Sequence, residues 1–257
     1  MSKLTTSVAW VKGMGELFEE EGLDVNALFS EAGLDETVRD DPDGRYPTEK
    51  VSLLWELAVM RTGDQMLGIA KARKAKPSNF DVVGYAMMSC PNLLASLECL
   101  VRYLRVVSEA ATLLVHKEEG GYLAELQLFG GGQPVPRQRM EFDLLTLLSF
   151  LRWISGREFS PLWGEFTYAT PADPQIFNDA FKCPVRFNAS ANRLMFHHAD
   201  LVAPLPTRNP SLAKLHAQFA GQYLTRLDDK KTGHVVQELI TRMLPSGEPR
   251  REDIASA

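Results

Sequence analysis

The sequence has no long apolar run. No stretch of about 18 uncharged apolar residues occurs in it, and Met1–Trp10 has one lysine and no apolar segment of the kind found in secretory signals. We therefore expect no membrane-spanning segment, no membrane partner and a cytoplasmic location.

Cysteine is scarce as well. The three cysteines, Cys90, Cys99 and Cys183, are odd in number, and none belongs to a Cys-x-x-Cys pair. A disulfide framework needs paired cysteines, and a structural zinc site needs closely spaced ligands. We expect neither of them, and the sequence predicts no metal and no cofactor.

An excess of positive charge is also absent. The 257 residues include 28 Lys and Arg against 33 Asp and Glu, which gives a formal net charge of −5. Binding to a phosphate backbone requires a clustered positive face. These residues alone are therefore not expected to bind nucleic acid.

The sequence contains no recognisable catalytic arrangement. Its one His/Asp cluster is His197-His198-Ala199-Asp200, and neighbouring residues on a strand point to opposite faces, so the two histidines cannot both ligate one metal. Gly130-Gly131-Gly132 lacks the Gly-Lys-[Ser/Thr] that completes a phosphate loop, and no Gly-x-Ser-x-Gly nucleophile motif occurs. The sequence thus favours a protein that is not an enzyme.

Helical periodicity dominates the first 110 residues. The composition, 45% hydrophobic and 24% charged, is typical of soluble globular proteins. The clearest helix follows Asn92, and its apolar residues are three or four positions apart. These residues are Leu93, Leu97, Leu100, Leu104 and Val107.

Strand-like patterns follow. Ala111–His116 and Tyr122–Phe129 predict a hairpin, Gly164–Tyr168 predicts a strand, and Val185–Phe187 with Arg193–Phe196 predicts a second hairpin. Between them, residues 140–154 are apolar almost all round and predict a buried helix. The predicted fold class is α+β: a helical N-terminal half, a small, mainly antiparallel sheet of about four strands with helices packed on it, and C-terminal helices.

A ligand site is suggested by polar and aromatic side chains on otherwise apolar helices. A charged residue there reaches the surface, pairs with an acid or meets an anionic ligand, and these alternatives stay open. We expect a mostly apolar pocket between the helices of residues 81–107, the sheet and the helix of residues 140–154. The candidate ligand-binding residues are Tyr85, Met88, Arg102, Tyr103, Arg152 and Trp153.

A second apolar stripe follows Pro204, Pro206 and Pro210. Its residues are three or four positions apart along one helix face, and a separate helix is predicted at Val235–Leu244. The stripe either packs back on its own domain or pairs with a second copy of the chain. As a dimer interface it comprises Leu212, Leu215, Phe219, Tyr223 and Leu227.

An ordered series of short motifs carries a family resemblance. Phe80-x-x-x-Gly84-Tyr85-Ala86 is followed by Asn92-Leu93-x-x-x-Leu97-x-x-Leu100-x-Arg102-Tyr103, and later by Phe181-x-x-Pro184-Val185-x-Phe187 and Asn192-x-Leu194-x-Phe196. The series resembles the N-terminal arabinose-binding-type domain of AraC/XylS-family bacterial transcription regulators. Asn92, Ala95 and Ser96 stand where many members have Thr, Glu and Ala.

The resemblance implies a domain organisation. Residues 1–205 would bind a small-molecule effector, residues 206–245 would form dimerisation and linker helices, and residues 246–257 would begin a truncated helix-turn-helix DNA-binding domain. The partners it implies are an effector, a second copy of the chain, and DNA only through the missing C-terminal domain. Two alternatives remain: a stand-alone module that binds a hydrophobic metabolite or lipid without DNA, and an unrecognised enzyme.

Overall fold

The computed structural model of the chain describes residues 4–69 and 75–243. Nine α-helices lie within these residues, together with 3-10 turns at Glu36–Asp40, Leu67–Ile69 and Pro77–Phe80. The helices are α1 Val8–Glu20, α2 Val25–Glu31, α3 Thr48–Thr62, α4 Asp81–Ser89, α5 Leu93–Val107, α6 Arg137–Ser155, α7 Gln175–Phe181, α8 His198–Val202 and α9 Pro210–Met243.

Three helices begin directly after a residue whose side chain caps the first turn. Ser7, Asp24 and Asn92 each accept a hydrogen bond from a backbone N–H in the first turn of α1, α2 and α5. Before α1, however, β1 (Thr5–Ser7) pairs antiparallel with β2 (Arg45–Pro47). This two-stranded sheet was not predicted, since three-residue strands are too short to show an alternating pattern.

The main sheet has five strands in the order β3-β4-β7-β5-β6. All its neighbours are antiparallel except β5 and β6, so the α+β prediction of a mainly antiparallel sheet is confirmed. Its strands are β3 Ala111–Glu118, β4 Gly121–Leu128, β5 Trp163–Glu165, β6 Val185–Arg186 and β7 Asn192–His197. The hairpin of β3 and β4 is the one that the sequence predicts.

The predicted second hairpin is wrong. Strands β6 and β7 form, but β5 lies between them and pairs parallel with β6. The segment after β6 continues along the segment after β5: the amide of Asn188 donates to the carbonyl of Tyr168 at 2.9 Å. Strand β6 therefore pairs with β5, which is distant in sequence, and does not turn back to pair with β7.

The core lies between the sheet and α6. This helix is buried along most of its circumference, as the sequence predicts, and the predicted apolar positions of α5 are buried as well, Leu93 and Leu97 completely. Residues 8–58, which include α1, α2 and most of α3, contribute to the same apolar core.

The C-terminal segment is one helix rather than two. Helix α9 runs without interruption from Pro210 to Met243, so the separate helix predicted at Val235–Leu244 is incorrect. It packs against α4 and α5. The predicted helix-turn-helix start at residues 246–257 lies outside the described residues.

Candidate functional site

An interior cavity lies where the sequence places a pocket, between α5, the sheet and α6. Its volume is about 30 Å³, which is room for about two water molecules. Residue 80, α5 and the first residues of the sheet supply most of its apolar wall. The described residues that line it are Trp10, Phe80, Leu100, Leu104, Val107, Ser108, Ala111, Leu113, Leu126, Asp143 and Leu147.

Asp143 is the acidic residue in this lining. It is 8% exposed, and its Oδ1 has no hydrogen-bond partner among the described residues. Burial raises the pKa of Asp143 to about 7, while the charge of Arg139 and a hydrogen bond from the side chain of Trp10 act in the opposite direction. The carboxyl group of Asp143 is therefore partly protonated and partly ionised near neutral pH.

Arg139 lies one helical turn before Asp143 and is 1% exposed. Its Nη1 donates to Ser52 Oγ at 3.1 Å, and its Nε has no hydrogen-bond partner among the described residues. Burial lowers the pKa of this guanidinium, while the charge of Asp143 acts to raise it. The two buried charges thus stabilise each other electrostatically.

Glu141 occupies a different side of α6 and is held by neighbours. Its Oε1 accepts hydrogen bonds from Arg137 Nη1 and Tyr168 Oη, each at 2.8 Å. Burial raises its pKa to about 7. A Cβ added at Gly68 would lie 2.8 Å from Glu141 Oε2, so the backbone of residue 68 packs closely against this carboxylate. Glu141 therefore joins α6 to its neighbours.

The sequence prediction did not single out Arg139, Glu141 or Asp143. A usable signal was present: three charged residues occur within five positions at the start of a helix that is otherwise predicted to be buried. Charged groups are buried only when they are paired or functional. On this helix, the same reasoning selects only Arg152 and Trp153, which lie at its other end.

The second candidate is an outer cleft of about 770 Å³ between the end of α6 and α7. Arg152 and Trp153 both line it, together with Arg157, Asp179 and Lys182. The guanidinium of Arg152 is engaged by the protein: Nε donates to the carbonyl of Phe159 at 2.8 Å and Nη2 to that of Phe181 at 3.0 Å. Trp153 is 48% exposed.

The other four predicted ligand residues lie elsewhere. Tyr85 is exposed, and its ring centroid is 6.2 Å from that of His216 on α9. Met88 is half-buried against the core, Arg102 is exposed and Tyr103 is buried. The six residues therefore do not form one site, and none of them lines the interior cavity. Their role in ligand binding stays a prediction.

The predicted dimer stripe divides in two. Leu212, Leu215 and Phe219 are 44%, 45% and 54% exposed. Tyr223 is half-buried and Leu227 is buried against the rest of the chain. Only the first three side chains are presented to solvent.

The described residues offer neither a cluster of metal ligands nor a membrane-spanning helix. Within residues 4–69 and 75–243, no group of three or more His, Cys, Asp and Glu side chains is placed to hold a metal ion. The same part of the chain contains no helix of the length and apolar character required to cross a bilayer.

The chain is similar to known regulators in both sequence and fold. An ornithine utilization regulator of Pseudomonas aeruginosa is 25% identical over 239 residues, which are 92% of this chain and 68% of the relative. The crystal structure of the transcriptional regulator CdpR from Pseudomonas aeruginosa is similar in fold, with a TM-score of 0.51 at 14% identity, over 89% of this chain and 79% of that one.

The family model described as the arabinose-binding domain of AraC transcription regulators, N-terminal, matches residues 22–205. The match contains α2 to α8, the whole five-stranded sheet and all but one of the residues that line the interior cavity. Since it covers well over half of the sequence, the chain belongs to the AraC-type transcription regulators and contains their N-terminal arabinose-binding domain.

Proposed function

We propose that the chain is the sensing and dimerising part of a cytoplasmic transcription regulator, and that its effector binds in the interior cavity. The single observation that carries this proposal is the position of the cavity. Leu100, Leu104 and Val107 of α5 line it, and α5 also packs against α9, the helix with the exposed apolar side chains.

The contacts of α9 give the proposed route of the signal. Arg105 Nη2 of α5 donates to Asp228 Oδ1 of α9 at 2.5 Å, and Ser89 Oγ of α4 lies 3.2 Å from His216 Nδ1 of α9. A ligand that displaces α5 would therefore change the position of α9. Only a ligand with different affinities for two such arrangements can shift their populations.

The output of this shift would be DNA binding by a helix-turn-helix domain, presented in pairs through α9. Leu212, Leu215 and Phe219 would form the surface between two copies. The family membership and the regulatory names of the relatives support this part of the proposal.

A ligand screen with a cavity-blocking variant tests the proposal. The 257-residue chain is heated with a panel of cationic, anionic and neutral metabolites, which includes ornithine because one relative is named for its utilization. At least one compound should raise the melting temperature, since a ligand that binds only the folded state stabilises it.

Leu104→Phe should reduce that ligand's affinity by about tenfold or more, because it fills the cavity. Val101→Phe, on the 40% exposed side of the same helix, is the control and should bind normally. Ala111→Val is a milder blocking variant if Leu104→Phe does not fold. Equal binding by all variants, or no binding by any compound, would refute the proposal.

A further inference from the structure

We infer that Asp143 is the recognition carboxylate of the interior cavity, and that the effector is a small organic cation with an apolar body, such as a primary amine. This inference rests on the proposed function, because it takes the interior cavity to be the effector site.

The first argument is the composition of the cavity wall. Among the described lining residues Asp143 is the only charged one; Ser108 and Trp10 are polar in part, and the other eight are apolar. An anion would meet a carboxylate there and no basic side chain of the lining. An apolar chain with an ammonium group matches both the wall and the carboxylate.

The second argument is the unused acceptor. Buried carboxylate oxygens in folded proteins are nearly always hydrogen-bonded. Asp143 Oδ1 is buried without a partner among the described residues, whereas the side chain of Trp10 donates to the same carboxyl group. An ammonium N–H is a strong donor for such an oxygen, and the resulting bond is charge-assisted.

The third argument concerns the nearby positive charge. Arg139 stabilises the ionised form of Asp143 electrostatically, but its Nη1 is directed to Ser52 Oγ. Burial still outweighs Arg139 and Trp10, since the pKa of Asp143 is raised to about 7. A cation in the cavity would offset this desolvation directly, so binding should favour the ionised carboxylate.

Size limits the group that meets Asp143. A cavity of about 30 Å³ accepts an ammonium group with about one methylene group, so a three-carbon amine such as n-propylammonium requires a small outward movement of the walls. Trp10 also forms part of the wall of a separate hollow of about 130 Å³, which Glu16, Glu20 and Lys76 line. Trp10 therefore lies against both cavities.

The test uses three probes of similar shape: n-propylammonium, n-propanol and propionate. Calorimetry should detect binding of n-propylammonium to the chain and much weaker binding of the other two. Asp143→Asn should weaken n-propylammonium binding by about 30-fold or more, because it keeps an acceptor for Trp10 but removes the charge. Glu98→Gln, on the exposed side of α5, removes a carboxylate that does not line the cavity, and this control variant should bind the amine normally.

A second readout separates ligand recognition from a structural role. At pH 6.5 most of Asp143 is protonated in the free protein, since its pKa is about 7. Binding of n-propylammonium should release protons, measured as a dependence of the binding enthalpy on the ionisation enthalpy of the buffer. The affinity should rise with pH up to about 7 and level off above it. Asp143→Asn should show neither effect.

Specific outcomes would overturn the inference. Equal affinity for all three probes would mean binding by apolar contact alone, and unchanged binding by Asp143→Asn would place the ammonium elsewhere. If Asp143→Asn does not fold, absence of proton release in the unmodified chain is decisive. A neutral or anionic panel ligand that Leu104→Phe excludes would refute the inference and leave the proposed function intact, whereas no panel ligand at all would refute both.

Discussion

Asp143 links stability to pH in a direction opposite to that of most carboxyl groups. Its pKa is raised from 3.8 to about 7 in the folded chain, mainly by burial. Between these values the folded state holds a proton that the unfolded state has lost. Its contribution to stability is therefore fully present below pH 4, declines as the pH rises to about 7, and is constant above that.

Asp143→Asn should remove this decline. We expect the free energy of unfolding of the variant, relative to the unmodified chain, to rise by on the order of 2 to 4 kcal/mol between pH 4 and pH 8. Urea unfolding at several pH values measures it. Glu141 titrates in both proteins, so its contribution cancels in the difference.

Glu158 serves as the control, because its contribution to stability depends on pH in the opposite direction. A hydrogen bond and the charge of Lys182 lower the pKa of exposed Glu158, so its contribution is present above the unfolded pKa and is lost as the pH falls. Glu158→Gln should therefore lose stability relative to the unmodified chain only above the acidic range. A difference for Asp143→Asn that does not depend on pH would show that burial does not raise the pKa of this carboxyl group.

At the scale of elements, α9 depends on close packing against α4 and α5. Ala220 is completely buried at this interface, and Leu227 is buried further along the helix. Two helices can approach closely only where small residues lie between them, and a longer or charged side chain there would separate them. The attachment of α9 is therefore sensitive at Ala220.

Ala220→Glu should detach α9 without unfolding the core. A buried, unpaired carboxylate costs about 2 to 5 kcal/mol, so the amides of residues 210–229 should exchange with solvent faster while those of the five-stranded sheet remain protected. Gln222→Glu places the same charge at an exposed position of α9 and is the control. Similar exchange in both variants would mean that α9 does not need the close packing at Ala220.

Elements were predictable wherever their signal is local. The periodicity of α5 and the alternation of β3 and β4 depend on neighbouring residues, and both were predicted. Gly84, in the motif that carries the family resemblance, has a physical reason visible only in the fold: a Cβ there would lie 2.1 Å from the carbonyl oxygen of Pro77. The pairing of β5 with β6 depends on partners distant in sequence, so no local pattern revealed it.

The candidate site was predictable in place but not in composition. The helices and sheet around the interior cavity follow from periodicity, so its position could be inferred. Which side of a helix faces a cavity depends on tertiary packing: Leu100 and Leu104 line it, whereas Arg102 and Tyr103 on the same helix do not. Asp143 was missed because a carboxylate within an apolar helix is ordinarily expected to reach solvent.

At the scale of the whole molecule, only the second half of the C-terminal stripe packs back on its own domain. Tyr223 and Leu227 pack against the chain itself, whereas Leu212, Leu215 and Phe219 remain exposed. Neighbouring apolar side chains that are exposed together are typical of interaction surfaces. A two-fold axis beside α9 would bury the same three residues of both copies, as a self-complementary interface requires.

The double substitution Leu215→Asp with Phe219→Asp should therefore produce a monomer. Charges at the centre of an apolar interface remain unpaired, so the dimer dissociation constant should rise by about 100-fold or more, which sedimentation equilibrium measures.

Met60→Asp is the control: it changes a side chain on α3 that is 67% exposed, more than any of the three on α9, and it should leave the dimer intact. Since Leu215 and Phe219 are exposed within one copy of the chain, the double variant should have the same melting temperature as the monomeric form of the unmodified chain. A dimer that persists in the double variant, or an unmodified chain that is monomeric at every concentration, would contradict an α9 interface.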